Sequence, residues 1–204
     1  MKKKIKRSFI KSSNSRRSFL KLALGGTVSA SALYLGLTKD LYAAPSGPIV
    51  IGHQCELTGG FSSWGYWHDK CAKAAVKIIN DGGGIAGRKV KLAIEDTESN
   101  PAAGSRKLRS LIERRKASFV VGSVHSGIML ASIPIATELK TPYFSAGEAT
   151  EATGSKGSRY SFRTGTDTYA LAAAGAPWAY KNLGKTWTMI LPDYAWGHSH
   201  HQEH

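Results

Sequence analysis

Three stretches rich in Gly, Ser and Thr, at 54–64, 122–127 and 145–150, hold the residues best suited to gripping a small polar molecule. Ser126 is expected at or next to a helix N-terminus, where free N–H groups and the helix dipole favour negative charge. Its hydroxyl either adds a donor for such a ligand or serves as the N-cap of that helix. Gly147, Ala149 and Thr150 lie in a loop whose successive N–H groups can form a nest for a carboxylate. Phe61 and Trp64 add an apolar side. The chemistry this suggests is capture rather than catalysis. No G-x-S-x-G elbow occurs, and no serine stands with a His and an acid in a recognisable triad order.

Two other patterns are set aside on context. Gly82, Gly84 and Gly87 satisfy G-x-G-x-x-G, but a dinucleotide fingerprint must follow a strand and open a helix. Here the glycines should end a helix and precede a strand, so they read as a helix stop and a turn. His200 and His204 could share a helix face and hold a transition metal, yet no second cluster supports them. They read as surface histidines, and no metal or cofactor is expected.

The elements that must carry the three loops alternate. Compact apolar runs predict strands at 48–52, 89–95, 118–122 and 141–145, an extended piece at 160–163, and a further strand at 187–191. Between them, helices are expected at 65–80, 101–115, 126–139 and 169–182, with Pro134 able to kink or shorten the third. Such alternation implies an α/β fold with a doubly wound parallel sheet. Ligands of such sheets bind outside the carboxyl ends of the strands, where the three loops belong.

Charge is unevenly distributed. The net charge is +14, but residues 1–44 hold ten Lys and Arg against one acid, leaving eighteen bases against thirteen acids in the remainder. The later bases gather on the expected helix at 101–115 without stacking aromatics, a solvated face rather than a nucleic-acid surface. Ser15-Arg16-Arg17-Ser18-Phe19-Leu20-Lys21 resembles the twin-arginine export consensus and precedes a short, glycine-diluted apolar run. Residues 1–44 are therefore read as a signal peptide cleaved near Ala43 or Ala44, which implies a twin-arginine translocase as partner and a periplasmic location. In that oxidising compartment Cys55 and Cys71 could bridge, although two buried thiols are the favoured reading.

Several segments, in order, resemble the leucine/isoleucine/valine-type periplasmic binding proteins. They are Ile79-Asn80-Asp81-Gly82-Gly83-Gly84-Ile85-Ala86-Gly87-Arg88, Glu95-Asp96-Thr97, Val121-Gly122-Ser123-Val124-His125-Ser126-Gly127, Thr141-Pro142-Tyr143-Phe144-Ser145 and Pro192-Asp193-Tyr194-Ala195-Trp196-Gly197. The resemblance implies two α/β lobes closing on a ligand by a hinge, with 45–164 as the first lobe and 165–204 as the beginning of a truncated second. It implies capture of an amino acid or similar small carboxylate, without catalysis, for an ABC permease in the inner membrane. A sensory module acting on a signalling partner, or a non-functional remnant, are the alternatives. By the same resemblance Ser126 contacts the ligand carboxylate and the Gly147–Thr150 stretch adds backbone and hydroxyl contacts, with Ala149 and Thr150 both candidates because the register is open by one. Trp64 would line the cleft and Trp196 would stand for a second-lobe tyrosine, implying a larger or more apolar ligand than leucine. Asp167 and Tyr169 are further candidates. A fragment of this kind is expected to be marginally stable and to bind weakly or not at all.

Overall fold

A computed structural model describes residues 47–203. Five strands, β1 (Ile49–Cys55), β2 (Val90–Asp96), β3 (Phe119–Gly122), β4 (Tyr143–Ser145) and β5 (Ser161–Arg163), are separated by helices for most of the chain. The helices are α1 (Ser62–Asp81), α2 (Pro101–Glu113), α3 (Ser126–Glu138), α4 (Thr168–Asn182) and α5 (Ala195–Glu203), with one 3-10 turn at Thr150–Ala152. The strands form one sheet in the order β2-β1-β3-β4-β5, and every pair is parallel. The expected α/β parallel sheet is thus present. Its strand order reverses direction at β1, which places a crevice outside the carboxyl ends of β1 and β3.

Local chemistry explains where the elements start and stop. Asn100 caps α2 by accepting the Ala103 N–H at 3.0 Å, and Pro101 occupies the first turn, where its missing N–H costs nothing. Gly82, Gly83 and Gly84 close α1 ahead of β2, with φ of 98° and 84° at the last two, as expected of a stop. Pro134 does not shorten α3, which runs through it to Glu138.

One face of the sheet packs α2 and α3 around a core centred on Leu108, Leu111, Val120, Met129 and Tyr143. A polar pin crosses this core. Tyr143 Oη donates to Gln54 Oε1 at 2.6 Å, and Gln54 Nε2 donates to the Gly104 carbonyl at 2.7 Å and to Ser132 Oγ at 3.0 Å. The Gln54 amide is thereby satisfied in the interior, and it fixes β1, α2, α3 and β4 to one another.

On the other face α1 lies across β1 and β2 with only Gly65 fully buried, and Ala75 is exposed. A β-carbon on Gly65 would stand 1.8 Å from the Glu56 carbonyl, so glycine alone lets α1 approach the end of β1.

Two expectations fail here. Residues 187–191 do not form a strand; Ile190 is 97% exposed. A strand needs a neighbouring edge to pair its N–H and C=O groups, and among the described residues none lies beside this segment. The second failure is the pair of buried thiols. Both cysteines are free and Cys55 is buried at the end of β1, but Cys71 faces solvent on α1.

Candidate functional site

The crevice is floored by residues that follow β1 and β3. Gly122 ends β3 with φ 101°, and a β-carbon there would meet the Gln54 carbonyl at 2.0 Å, so the strand end closes tightly on β1. Just beyond, Ser123 Oγ donates to Glu56 Oε1 and accepts the His125 N–H at 3.0 Å. Glu56 is fully buried, and its Oε2 has no hydrogen-bond partner among the described residues.

His125, not Ser126, caps α3: its Nδ1 accepts the Ile128 N–H at 3.3 Å. This corrects the capping alternative for Ser126. Accepting at Nδ1 requires the neutral ring, and burial lowers the His125 pKa in agreement.

Ser126 is the first residue of α3, buried, and its Oγ accepts the N–H groups of Glu148 at 3.0 Å and Ala149 at 3.2 Å. The neighbouring amides are engaged as well. Gly147 N–H donates to Ser145 Oγ at 3.1 Å and Thr150 N–H to Ser199 Oγ at 3.1 Å. Gly147 is held close against α3, since a β-carbon would meet Met129 at 3.0 Å. Every N–H of the 147–150 loop therefore has a hydroxyl acceptor within the protein.

A line of hydroxyls fastens α5 over this loop. Ser199 Oγ donates to Glu151 Oε2 at 3.0 Å, which leaves Thr168 Oγ1, 2.7 Å away, to donate to Ser199. Thr150 Oγ1 in turn donates to Thr168 Oγ1 at 2.8 Å and accepts the Tyr169 N–H at 3.0 Å. The carboxylate at one end sets the direction of all three bonds.

Aromatic rings line the crevice between these parts. Phe61 and Tyr194 each lie 4.7 Å from the His125 ring, 5.5 Å from each other, and Trp196 stacks parallel to Tyr194 at 6.4 Å. Trp196 Nε1 donates to Glu148 Oε2 at 2.7 Å. Burial, then the Glu148 carboxylate, push the Tyr194 phenol pKa upward.

Ser126, Gly147, Ala149, Thr150 and Trp196 thus meet at one place. Trp64 and Tyr169 do not join the ring cluster: their side chains are 58% and 60% exposed. The aromatic from the first loop that does join is Phe61, because α1 begins at Ser62 and leaves Phe61 at the cap position. Asp167 caps α4, accepting the Ala170 N–H at 2.7 Å, and pairs with Arg163 at 2.8 Å. Sequence reasoning passed over His125, Tyr194 and Ser199; the Pro192–Gly197 corner was the available signal for Tyr194. His200 is not a surface histidine but is buried edge-on to Trp196 at 4.3 Å. Among the described residues no group of three His, Cys, Asp or Glu is arranged to hold a metal, and His204 and the Arg16-Arg17 motif lie outside them. No helix of the described residues is long and apolar enough to cross a membrane.

Residues 48–203 match the family model described as periplasmic binding protein. Among curated relatives, a Leu/Ile/Val-binding protein homolog 1 of Brucella abortus is 30% identical over 90 residues, covering 44% of this chain and 24% of its own. Among solved structures, the branched-chain amino acid transporter substrate binding protein LivJ of Streptococcus pneumoniae, in complex with isoleucine, is 28% identical with a TM-score of 0.57, over 60% of this chain and 35% of that one. A solute binding protein of an ABC transporter from Rhodopseudomonas palustris, in complex with 3,4-dihydroxybenzoic acid, is 26% identical with a TM-score of 0.68, over 76% and 42%. The matched part spans between 24% and 35% of the curated relatives' length.

Proposed function

The chain belongs to the periplasmic binding protein family, and on that premise we propose that it is an exported solute-binding protein of an ABC importer. Its solute is an amino acid, of branched-chain type or larger, or a similar small carboxylate. The reading rests on one arrangement. Phe61, Ser126, the 147–150 loop and Trp196 all meet outside the carboxyl ends of β1 and β3, where a sheet of this order holds its ligands. Residues 45–164 act as the first lobe, and 165–204 belong to the second. The role is binding without catalysis, and the partners are the solute and an inner-membrane permease. Arg16 and Arg17 direct the chain through the twin-arginine translocase to the periplasm.

Isothermal titration of the full chain with leucine, isoleucine, valine, phenylalanine and benzoate tests the capture role. Weak saturable binding of at least one is expected, and silence across the panel overturns it. Export is tested separately. Arg16→Lys with Arg17→Lys should leave the protein in the cytoplasm, and undiminished export of that variant removes the translocase from the account.

A further inference from the structure

Away from the crevice, α2 and the turn that follows it carry six bases: Arg106, Lys107, Arg109, Arg114, Arg115 and Lys116. Three acids face them. Arg109 Nη1 donates to Glu138 at 2.9 Å and to Glu113 at 3.1 Å, while Lys107 and Arg115 share Glu95 at 3.5 and 3.4 Å. Lys107, Arg109 and Arg115 are thereby cancelled by Glu95, Glu113 and Glu138. Arg106, Arg114 and Lys116 are exposed and have no carboxylate partner among the described residues. These three account for more than half of the surplus that eighteen bases leave over thirteen acids from residue 45 onward.

Arg106 and Arg114 also line one cavity of about 400 Å³, with Arg109 and Glu113 between them and Ile135 of α3 on its wall. Its two hydroxyls are engaged: Ser105 donates to the Ala102 carbonyl at 3.1 Å and Ser110 to Glu95 at 3.3 Å. The free donors are therefore two guanidinium groups, set about 12 Å apart along the helix axis by eight residues of rise.

That donor set selects its partner. Each guanidinium presents paired N–H groups that match a carboxylate. An extended polypeptide with acids four residues apart spans the gap on one face, at about 3.3 Å per residue. Nucleic acid fits less well, because residues 101–116 offer no ring on which a base could stack. A lipid surface fits less well too, since no large apolar side chain of 101–116 is exposed to enter it. The position is also separate from the crevice. α2 begins beyond the carboxyl end of β2 and leads into the amino end of β3, so Arg114 lies toward the opposite end of the sheet.

We propose that the α2 cavity docks an acidic polypeptide segment of a partner protein, whose carboxylates pair with Arg106 and Arg114 while the crevice stays open. The proposal does not depend on solute capture.

Fluorescence anisotropy of labelled hexaglutamate with the full chain tests it. Saturable binding is expected at about 20 mM salt, weakening as salt rises to about 200 mM. Arg106→Glu with Arg114→Glu should weaken binding by about tenfold or more, the scale of two exposed pairs lost and two like charges opposed. The melting temperature should hold, because neither arginine has an ion pair to lose. Arg106→Gln with Arg114→Gln introduces no opposing charge and should weaken binding by about threefold or more, which decides the matter if the reversed variant does not fold. Lys156→Glu with Lys181→Glu makes the same change in net charge at exposed positions elsewhere and should alter the affinity by less than about threefold. Absence of saturable binding to the unaltered chain overturns the proposal. Equal losses in the two reversed variants overturn it as well, assigning the attraction to overall charge, residues 1–44 included. Vesicles of phosphatidylcholine and phosphatidylglycerol held through Arg106 and Arg114, with hexaglutamate unbound, would give this surface to a membrane and reject the acidic segment.

Discussion

Ser126 Oγ accepts the N–H of Ala149 at 3.2 Å and that of Glu148 at 3.0 Å, so one buried hydroxyl moors the loop to the start of α3. Removing it leaves two loop amides without their acceptor. Ser126→Ala should therefore destabilise the chain by about 1–3 kcal/mol, the cost of unsatisfied buried donors. Chemical denaturation measures this. A loss below about 0.5 kcal/mol, the range of surface substitutions, would show that the loop is held by other means.

The two cysteines should differ sharply toward thiol reagents. The Cys55 thiol donates to the Gly65 carbonyl at 3.3 Å, and burial followed by nearby acidic groups pushes its pKa up to about 12. The thiolate is the reactive form, so Cys55 should stay unlabelled in the native state while Cys71, exposed on α1, is modified rapidly. Mass spectrometry after brief iodoacetamide treatment should find one adduct, at Cys71. Equal labelling of both would contradict the burial of β1's end.

The alternation of elements was legible because glycine runs and Asn-Pro punctuate the chain at helix ends, as at Gly82–Gly84 and Asn100. The segment at 187–191 was misread because an apolar run states only a preference, while a strand also requires an edge beside it. At the site, Ser126 and the Gly147–Thr150 loop stood out through residue type. What could not be read was who satisfies them. Ser199 meets Thr150 across 49 positions of sequence, and Trp196 meets Glu148 across 48. Phe61 was separated from Trp64 only by where α1 begins, a boundary that sequence places to within a few residues.

Stability should fall on mild acidification. Burial lowers the pKa of both His53 and His125 below the ordinary value of 6.5. A folded value below the unfolded one means that folding favours the neutral ring. The associated stability is complete above the unfolded value and is lost as pH falls through the folded ones. The melting temperature should be level from about pH 8 to 7 and decline below about pH 6. Asp96 adds its loss only in stronger acid. Despite burial, hydrogen bonds from Glu98, Thr58 and Leu57 hold its carboxyl below the usual range. His125→Asn keeps a capping acceptor without a titrating ring and should flatten the decline between about pH 6 and 5. An unchanged slope in that variant would assign the effect elsewhere.

Gly65 offers the sharpest test of how α1 positions the crevice. The Glu56 carbonyl stands where a β-carbon would lie, at 1.8 Å, and that contact is backbone, which cannot rotate aside as a side chain can. Gly65→Ala must therefore move α1 or the end of β1. Alanine's better helix propensity offsets less than about 1 kcal/mol of the strain, and overpacking of this kind costs about 1–3 kcal/mol. The net effect expected is destabilisation. The displacement would also reach the site, because Phe61 immediately precedes α1 and Glu56 lies beneath Ser123. Solute affinity, measured by titration, should thus fall together with the melting temperature. Ala75→Ser, on the exposed part of the same helix, is the control and should leave both within error. Should Gly65→Ala melt normally and bind normally, the close approach of α1 to β1 would not be what sets the crevice.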